Sequence, residues 1–312
     1  MRRSAPPIKT TFDVVIAGAG PAGLSAALYL ARAEKSVLLV DHGTPRNAAA
    51  RHAHGFLTRE GVPPAELRAA ARADLVAFPH VSFGDDRVAS IERMGAELRV
   101  TLASGGHVHA RRVLIATGLV DRLPAIPGLK ECWGQSAFSC PYCHGHEHAR
   151  GAWGVLAIQR AVVKNLALFG TWTRDLVLFA NGRTDLGDEV LTDLARRHIR
   201  VEPRKIAALI HEGGVLSAIE LEDGERVART ALVLHPPQRQ TDLVLFAGLA
   251  LDEEGLVKID DAHESSMRGV FVAGDAADGH PQAIIAAAGG AQAAMGIIES
   301  LAVEDARSAG GS

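Results

Sequence analysis

Cysteine is scarce in this chain: there are three in 312 residues, and two of them share one motif. That usage argues against a secreted disulfide scaffold and for a reducing, cytoplasmic compartment. Aromatic residues are sparse too, at 4%, with two tyrosines and three tryptophans. An excess of either charge is lacking, with 33 Lys and Arg against 36 Asp and Glu. A formal net charge of -3 offers no footprint for nucleic acid or an anionic membrane. The segment Met1-Arg2-Arg3-Ser4-Ala5-Pro6-Pro7 has no apolar h-region, so it is expected to be a loose tail and not a signal peptide. One long apolar run exists, Ala283 to Val303, but Gln292 and Glu299 interrupt it and no basic flank marks it. It reads as a buried helix packed closely on a sheet. No membrane partner is expected. The 47% of hydrophobic residues suffices for a sizeable core in one large or two medium domains.

What is present centres on Ser139-Cys140-Pro141-Tyr142-Cys143-His144-Gly145-His146. Two cysteines spaced C-x-x-C can close a small disulfide ring or open to a dithiol, and the thiolate is the reactive form. Ser139 suits a helix N-cap and Pro141 the first helical positions. Cys140 is then expected at a helix N-terminus, where the dipole favours a thiolate. His144 can exchange a proton near neutral pH. A structural disulfide would gain little from so short a loop. A zinc site drawn from Cys140, Cys143, His144, His146 or His148 would be crowded, with no second C-x-x-C, so no metal is expected. C-P-Y-C also occurs in glutaredoxins, but those are short chains with the motif near the N-terminus. A redox-active pair is the preferred reading. Cys132 stands outside the motif and reads as a bystander, a resolving role being the alternative.

In chain order, Phe12 to Ala17 reads as a buried strand. Gly18-Ala19-Gly20-Pro21-Ala22-Gly23 follows and opens a helix through about Ala33. In G-x-G-x-x-G the first glycine makes a tight turn, the second admits a pyrophosphate, and the third lets helix and strand pack. Ala22 keeps the helix slim. A second strand ends at Asp41, placed to meet a ribose hydroxyl. Residues 46–64 are polar and irregular, a solvated loop or else a wall of the flavin or substrate site. A helix is expected over 65–78, a hairpin over 88–103 and a strand over 108–114 that runs into Ala116-Thr117-Gly118. Pro124, Pro127 and Gly128 mark a linker. After the C-x-x-C, a strand–helix–strand begins at Trp153, but Gln159-Arg160-Ala161-Val162 supplies no phosphate-cradling glycine, and Arg183 is the one basic residue after its second strand. A helix over 189–198 and strands around 206–211, 215–222 and 226–233 follow. Gly269 to Asp275 is a buried strand ending in Gly274-Asp275, and Gln282-Ala283 leads into the last helix, whose N-terminus could point at a flavin.

This order of motifs resembles the low-molecular-weight thioredoxin reductases over roughly Phe12 to Leu301. Cys140 to Glu147, together with His54-Gly55-Phe56-Leu57-Thr58-Arg59, is more similar to the FAD-dependent dithiol oxidases that form the disulfides of gliotoxin and holomycin. The resemblance implies an α/β protein of two Rossmann-like three-layer domains. The FAD domain is split into 1–119 and 240–312, with a degenerate NAD(P)-type domain, 120–239, inserted and carrying the C-x-x-C. It implies FAD held by Gly18, Gly20, Pro21, Ala22, Gly23, Asp41, Thr117, Gly118, Gly274, Asp275, Gln282 and Ala283. It also implies a homodimer, with Cys143 on the flavin side and Cys140 exchanging with substrate. Thioredoxin reductases carry Asp where His144 stands, so His144 takes over the acid/base role. The Gly-rich NADPH loop and the His-Arg-Arg cluster are missing, and Pro281 replaces the arginine before Gln-Ala. NADPH use is therefore not expected, and oxygen becomes the simplest electron acceptor. The expected activity is oxidation of a small dithiol by Cys140, Cys143 and His144, the inserted domain staying put with the cysteines on the isoalloxazine. The alternative is a disulfide reductase for a thioredoxin-like protein, fed by ferredoxin, another flavin or weakly bound NADPH. A redox sensor that does not turn over is a third reading.

Overall fold

The computed structural model describes residues 10–158 and 165–310. Residues 1–9, expected as a loose tail, and Gln159-Arg160-Ala161-Val162, expected to lack a phosphate-cradling glycine, lie outside the described residues. The chain divides into two compact units, one of residues 1–46, 65–120 and 240–312, the other of residues 47–64 and 121–239.

The first unit is built on β1 (Thr11–Ala17), whose unbroken apolar run suits a strand covered on both faces. β2 (Val37–Asp41) joins it in parallel through the helix α1 (Pro21–Arg32), and β3 (Val81–Asp85) joins β2 through α2 (Pro64–Val76). β4 (Val88–Met94), β5 (Glu97–Leu102) and β6 (His107–Ile115) form an antiparallel meander, and β6 is also parallel to β1. β6 is long enough to serve two neighbours on one side. Its first half pairs with β5, and its second half with the strand Val270–Val272. The last segment of the chain thus returns to the sheet that the first segment began.

Alternation along β1 sets the layers. Val14 and Ile16 join Ala26 and Leu30 of α1 and Ala293 and Ile297 of the last helix, Ala283–Gly310. Val15 and Ala17 face the meander and meet Val88, Leu98 and Val100. By composition the last helix could cross a membrane, with mean hydropathy 1.4. Instead its small residues allow a close crossing. A Cβ at Gly290 would lie 2.0 Å from the Ala22 carbonyl oxygen, so the nearest approach is to α1 and not to the sheet that sequence reasoning favoured. Arg112 on β6 is 9% exposed. It donates to Ser300 Oγ at 2.9 Å and pairs with Glu304 at 2.8 Å, tying the far end of that helix to the sheet.

The second unit repeats this plan. Five parallel strands run in the order Arg200–Glu202, Asp175–Phe179, Ala152–Leu156, Ala231–Leu234, Ala137–Phe138. Trp153, Val155 and Leu178 face the helix side with Leu166 and Phe169. Leu156, Val177 and Phe179 face a three-stranded antiparallel sheet, Ile206–Glu212, Val215–Leu221 and Arg226–Ala228. Each fully buried side chain of this size contributes roughly 1.5–3 kcal/mol. Both units are α/β, with a parallel sheet layered between helices and an antiparallel sheet, as expected.

Three details differ from the sequence reading. The run 226–233 is two strands, because Arg229 and Thr230 leave the antiparallel sheet before Ala231 enters the parallel one. β3 was not anticipated, since Val81-Ser-Phe-Gly-Asp85 is short and half-polar. Residues 47–64 pack with the second unit. Gly134, at φ 78, lets two backbones meet there: a Cβ on it would stand 2.5 Å from the Ala49 carbonyl carbon. Arg51 also donates to the Gly213 carbonyl at 2.9 Å.

Candidate active site

Cys140 and Cys143 are joined as a disulfide, with Cα atoms 5.3 Å apart. The helix they bracket is one turn, Pro141–His144. Its N-cap is Cys140 and not Ser139. The Cys143 N–H donates to Cys140 Sγ at 3.1 Å, so the sulfur itself takes the capping position. Pro141 fits because the first helical N–H has no acceptor within the helix. Gly145 closes the turn with its N–H on the Pro141 carbonyl at 2.7 Å. A side chain at Gly145 would strike Trp172, 2.8 Å from its Nε1.

Two of the three tryptophans and one of the two tyrosines gather here. Phe138 stacks on His144 at 5.2 Å between ring centroids and on His148 at 5.3 Å. Trp153 meets Phe138 edge-on and stacks on Trp172, which meets the exposed Tyr142 edge-on at 5.8 Å. All of them but Trp172 lie between residues 138 and 153, so the segment around the C-x-x-C largely builds the cluster itself.

Both ring nitrogens of His144 are buried without a hydrogen-bond partner among the described residues. Burial pushes its pKa down, and the charge of His54 adds to that, while Glu147 opposes it. The imidazole is thereby biased toward the neutral form, a base. His235 is likewise lowered by burial. Each of these histidines has a folded-state pKa below its unfolded value of about 6.5. Below that pH the unfolded chain binds more protons than the folded one. Stability is therefore expected to be fully present above pH ~6.5 and to fall as pH drops through the two folded pKa values. Thermal midpoints between pH 8 and 5 check this, and His144→Gln should flatten the acid side. Cys132 has no exposed surface and lies in the core beside Leu129 and Leu209, where burial raises its pKa. A buried thiol of this kind is inert.

The first unit holds the dinucleotide-type residues. The Gly18 N–H donates to the Val40 carbonyl at 2.8 Å, joining the turn to the end of β2. A Cβ on Gly18 would lie 2.5 Å from the Ala116 carbonyl oxygen, and one on Gly23 1.9 Å from the Gly18 carbonyl oxygen. Gly20 is different: a Cβ there would meet nothing within 4 Å. It is the N-cap of α1 and brings no side chain to cap it, while Pro21 lacks an N–H. The first turn of α1 thus offers backbone donors and open space to an anion, a fit to a pyrophosphate. Gly274 packs against Ala22 and Ala286, with its virtual Cβ 3.0 Å and 3.7 Å from theirs, and Gly118 approaches the Asp275 Cβ at 4.0 Å. Gly18, Gly20, Pro21, Ala22, Gly23, Gly118, Gly274 and Asp275 therefore converge. Gln282 and Ala283 open the last helix, where the Ala286 N–H reaches the Gln282 carbonyl at 2.9 Å. Thr117 shares a hydroxyl hydrogen bond with Thr241 at 2.9 Å.

Two arginines escaped sequence reasoning. Asp275 is paired with Arg46 at 2.7 Å, both side chains mostly buried. Asp41 accepts from the Ala19 N–H at 3.1 Å and pairs with Arg68 of α2, which also donates to the Ala19 carbonyl. The acid at the end of β2 thus braces the glycine turn. Each partner lies tens of positions away, so only the fold reveals it.

A family model described as pyridine nucleotide-disulphide oxidoreductase matches residues 12–163 and 173–291. Thioredoxin reductase tcpT of Claviceps purpurea is 33% identical over 275 residues, covering 84% of this chain and 86% of its own. Thioredoxin reductase sirT of Leptosphaeria maculans is 31% identical over 308 residues, covering 92% of this chain and 93% of its own. Among solved structures, HlmI superposes with a TM-score of 0.92 at 35% identity, covering 98% of this chain and 97% of its own. An oxidoreductase from Agrobacterium tumefaciens gives 0.87 at 34% identity, over 94% and 99%.

Proposed function

The chain belongs to the pyridine nucleotide-disulphide oxidoreductase family, and from that premise we propose that it oxidises a small dithiol to a disulfide through Cys140 and Cys143, with oxygen as the final acceptor and without NADPH. It is a thioredoxin reductase-like flavoprotein oxidoreductase with FAD as cofactor. Gly18, Gly20 and Gly23, with Asp41, Gly118, Gly274 and Asp275 around them, would hold the dinucleotide. Bound FAD supplies a two-electron acceptor that can return its electrons to oxygen, giving peroxide.

The residues of the chain carry the thiol chemistry. Neutral His144 takes the proton of one substrate thiol. The resulting thiolate attacks Cys140 Sγ, a substrate–Cys140 disulfide forms, and the Cys140–Cys143 bond breaks with its electron pair on Cys143. His144 hands that proton to the leaving Cys143 sulfur and takes the proton of the second substrate thiol, whose thiolate attacks the substrate sulfur of the mixed disulfide and expels Cys140 with the electron pair of the broken bond. That releases the oxidised substrate and leaves both cysteines reduced. The net exchange is one dithiol oxidised and one enzyme disulfide reduced by two electrons. The observation that carries this reading is a closed C-x-x-C followed by a buried imidazole with no partner to share its lone pair.

The Arg183 guanidinium is engaged by Asp185 at 2.7 Å and by the Ala157 and Ile158 carbonyls, so it is committed within its own unit. The names of the relatives favour one further reading, disulfide reduction for a thioredoxin-like partner with electrons from ferredoxin, another flavin or NADPH. A cytoplasmic homodimer belongs to either reading.

Anaerobic titration of the yellow protein separates the two. Dithiothreitol is expected to bleach the flavin absorbance and NADPH to leave it, with rapid recovery and peroxide release in air. Bleaching by NADPH at stoichiometric amounts would reverse the assignment.

A further inference from the structure

Residues 52–62 form a tight loop beside the C-x-x-C turn, inside the same unit. Ala53 and Val62 bridge antiparallel at its neck, with the Ala53 N–H on the Val62 carbonyl at 2.7 Å. At its tip Thr58 has φ 72, a left-handed conformation that L-residues disfavour. A strained tip persists only where surrounding contacts hold it.

The contacts converge on His54. Its Nδ1 lies 2.7 Å from Glu60 Oε1, and the other oxygen of Glu60 accepts the Gly55 N–H at 2.8 Å. Its Nε2 lies 3.6 Å from Glu147 Oε1, three residues beyond His144. One ring therefore links the loop to the redox turn. The same ring presents itself to His144 at 6.5 Å between centroids, inclined by 75°. His144 is held on its face by Phe138, and its nitrogens have no hydrogen-bond partner among the described residues. Stacking fixes the plane of an imidazole but not which nitrogen carries the proton.

We propose that His54 is a positioning residue for His144: gripped by Glu60 and Glu147, it holds the edge of the buried imidazole and puts a titratable charge beside it. This rests on His144 acting as the base in dithiol oxidation. The groups facing His144 are His54 from the loop, the Gly134 backbone, which favours the protonated form, and Glu147 and His148 from its own segment, with Phe138 apolar. His52, 6.1 Å from His54, and Glu60 form the outer rank. A cation at His54 disfavours a proton on His144, and the carboxylate of Glu147 favours one.

The test follows flavin reduction by dithiothreitol in the holoprotein from pH 5 to 9, beside NMR titration of 13C-labelled histidine with the His144 signal assigned by its loss in His144→Gln. The wild type should show an acid limb whose midpoint matches the His144 titration. His54→Gln should move both upward in pH, and Glu147→Gln should move both downward. Opposite shifts would not arise from a loop that is merely structural, which would lower the rate equally at every pH. Unmoved midpoints in both variants, or shifts of the same sign, overturn the proposal. If His54→Gln fails to retain FAD, Glu60→Gln decides in its place: it loosens His54 without facing His144, and it should also move both midpoints upward. If instead His144→Gln keeps the wild-type acid limb, His144 is not the base and the reading beneath this one fails.

Discussion

Cys143→Ser is expected to abolish bleaching of the flavin by dithiothreitol, with turnover falling by ~10³-fold or more, as when a nucleophile is removed from an enzyme. The two cysteines are not equivalent. Cys140 is the N-cap of the Pro141–His144 turn, and its sulfur accepts the Cys143 N–H at 3.1 Å. In Cys143→Ser the remaining Cys140 thiol can still attack a disulfide, but nothing resolves the adduct. An aromatic disulfide reagent should therefore trap one equivalent on Cys140 as a stable mixed disulfide. Cys140→Ser should lose turnover as completely and trap the same reagent more slowly, because the remaining sulfur no longer occupies the cap. Flavin absorbance and mass spectrometry read both effects. Undiminished bleaching in Cys143→Ser would sink the thiol route.

Gly20→Ala and Gly290→Ala should fail in opposite ways. Gly20 has φ -75 and ψ -177, which alanine adopts, and its Cβ would meet no protein atom within 4 Å. The apoprotein should fold with a thermal midpoint near that of wild-type apoprotein, yet retain little FAD, because the new methyl fills the space a pyrophosphate needs. Gly290→Ala puts a methyl 2.0 Å from a backbone oxygen of Ala22, where no flexible side chain can give way. The last helix must then move off α1. Overpacking of this kind costs typically 1–3 kcal/mol or more, so the apoprotein itself should melt several degrees lower. Calorimetry on apoproteins together with the flavin content of purified holoproteins separates the cases. Full FAD retention in Gly20→Ala would remove the pyrophosphate assignment from the head of α1.

Much of the fold was legible because its signals are local. The run Phe12 to Ala17, the three glycines and the acid at the end of β2 form one short strand–turn–helix–strand, and each part has its own physical reason. The C-x-x-C was equally plain, since a sulfur pair at that spacing has few uses. What stayed hidden is non-local. Arg46 gives no sign that it reaches Asp275, nor Arg68 that it reaches Asp41. The polar stretch 46–64 reads as a solvated loop or as a wall of the flavin or substrate site; residues 57–60 are exposed, while the grip of Glu60 on His54 exists only once the loop closes. The N-cap was misplaced by one residue because serine has the stronger intrinsic preference. Closing the disulfide overrides it and puts Cys140 Sγ over the Cys143 N–H. The 226–233 strand was overextended because Arg229 and Thr230 interrupt neither the apolar pattern nor its length.

The return of the chain to its first sheet bears on the order in which the protein is made. On a ribosome adding ~5–20 residues per second, α1 and its glycine turn emerge early, but the strand Val270–Val272 and the helix bearing Gly290 emerge near the end. Until then the second half of β6 is paired with β1 on one side only, and the small residues of α1 have no helix to cover them. The other unit, complete by residue 239, has all its strands well before that point. A nascent chain therefore carries a finished redox turn before it has a finished nucleotide cradle. Its cysteines would spend that interval without FAD, the acceptor proposed for their electrons.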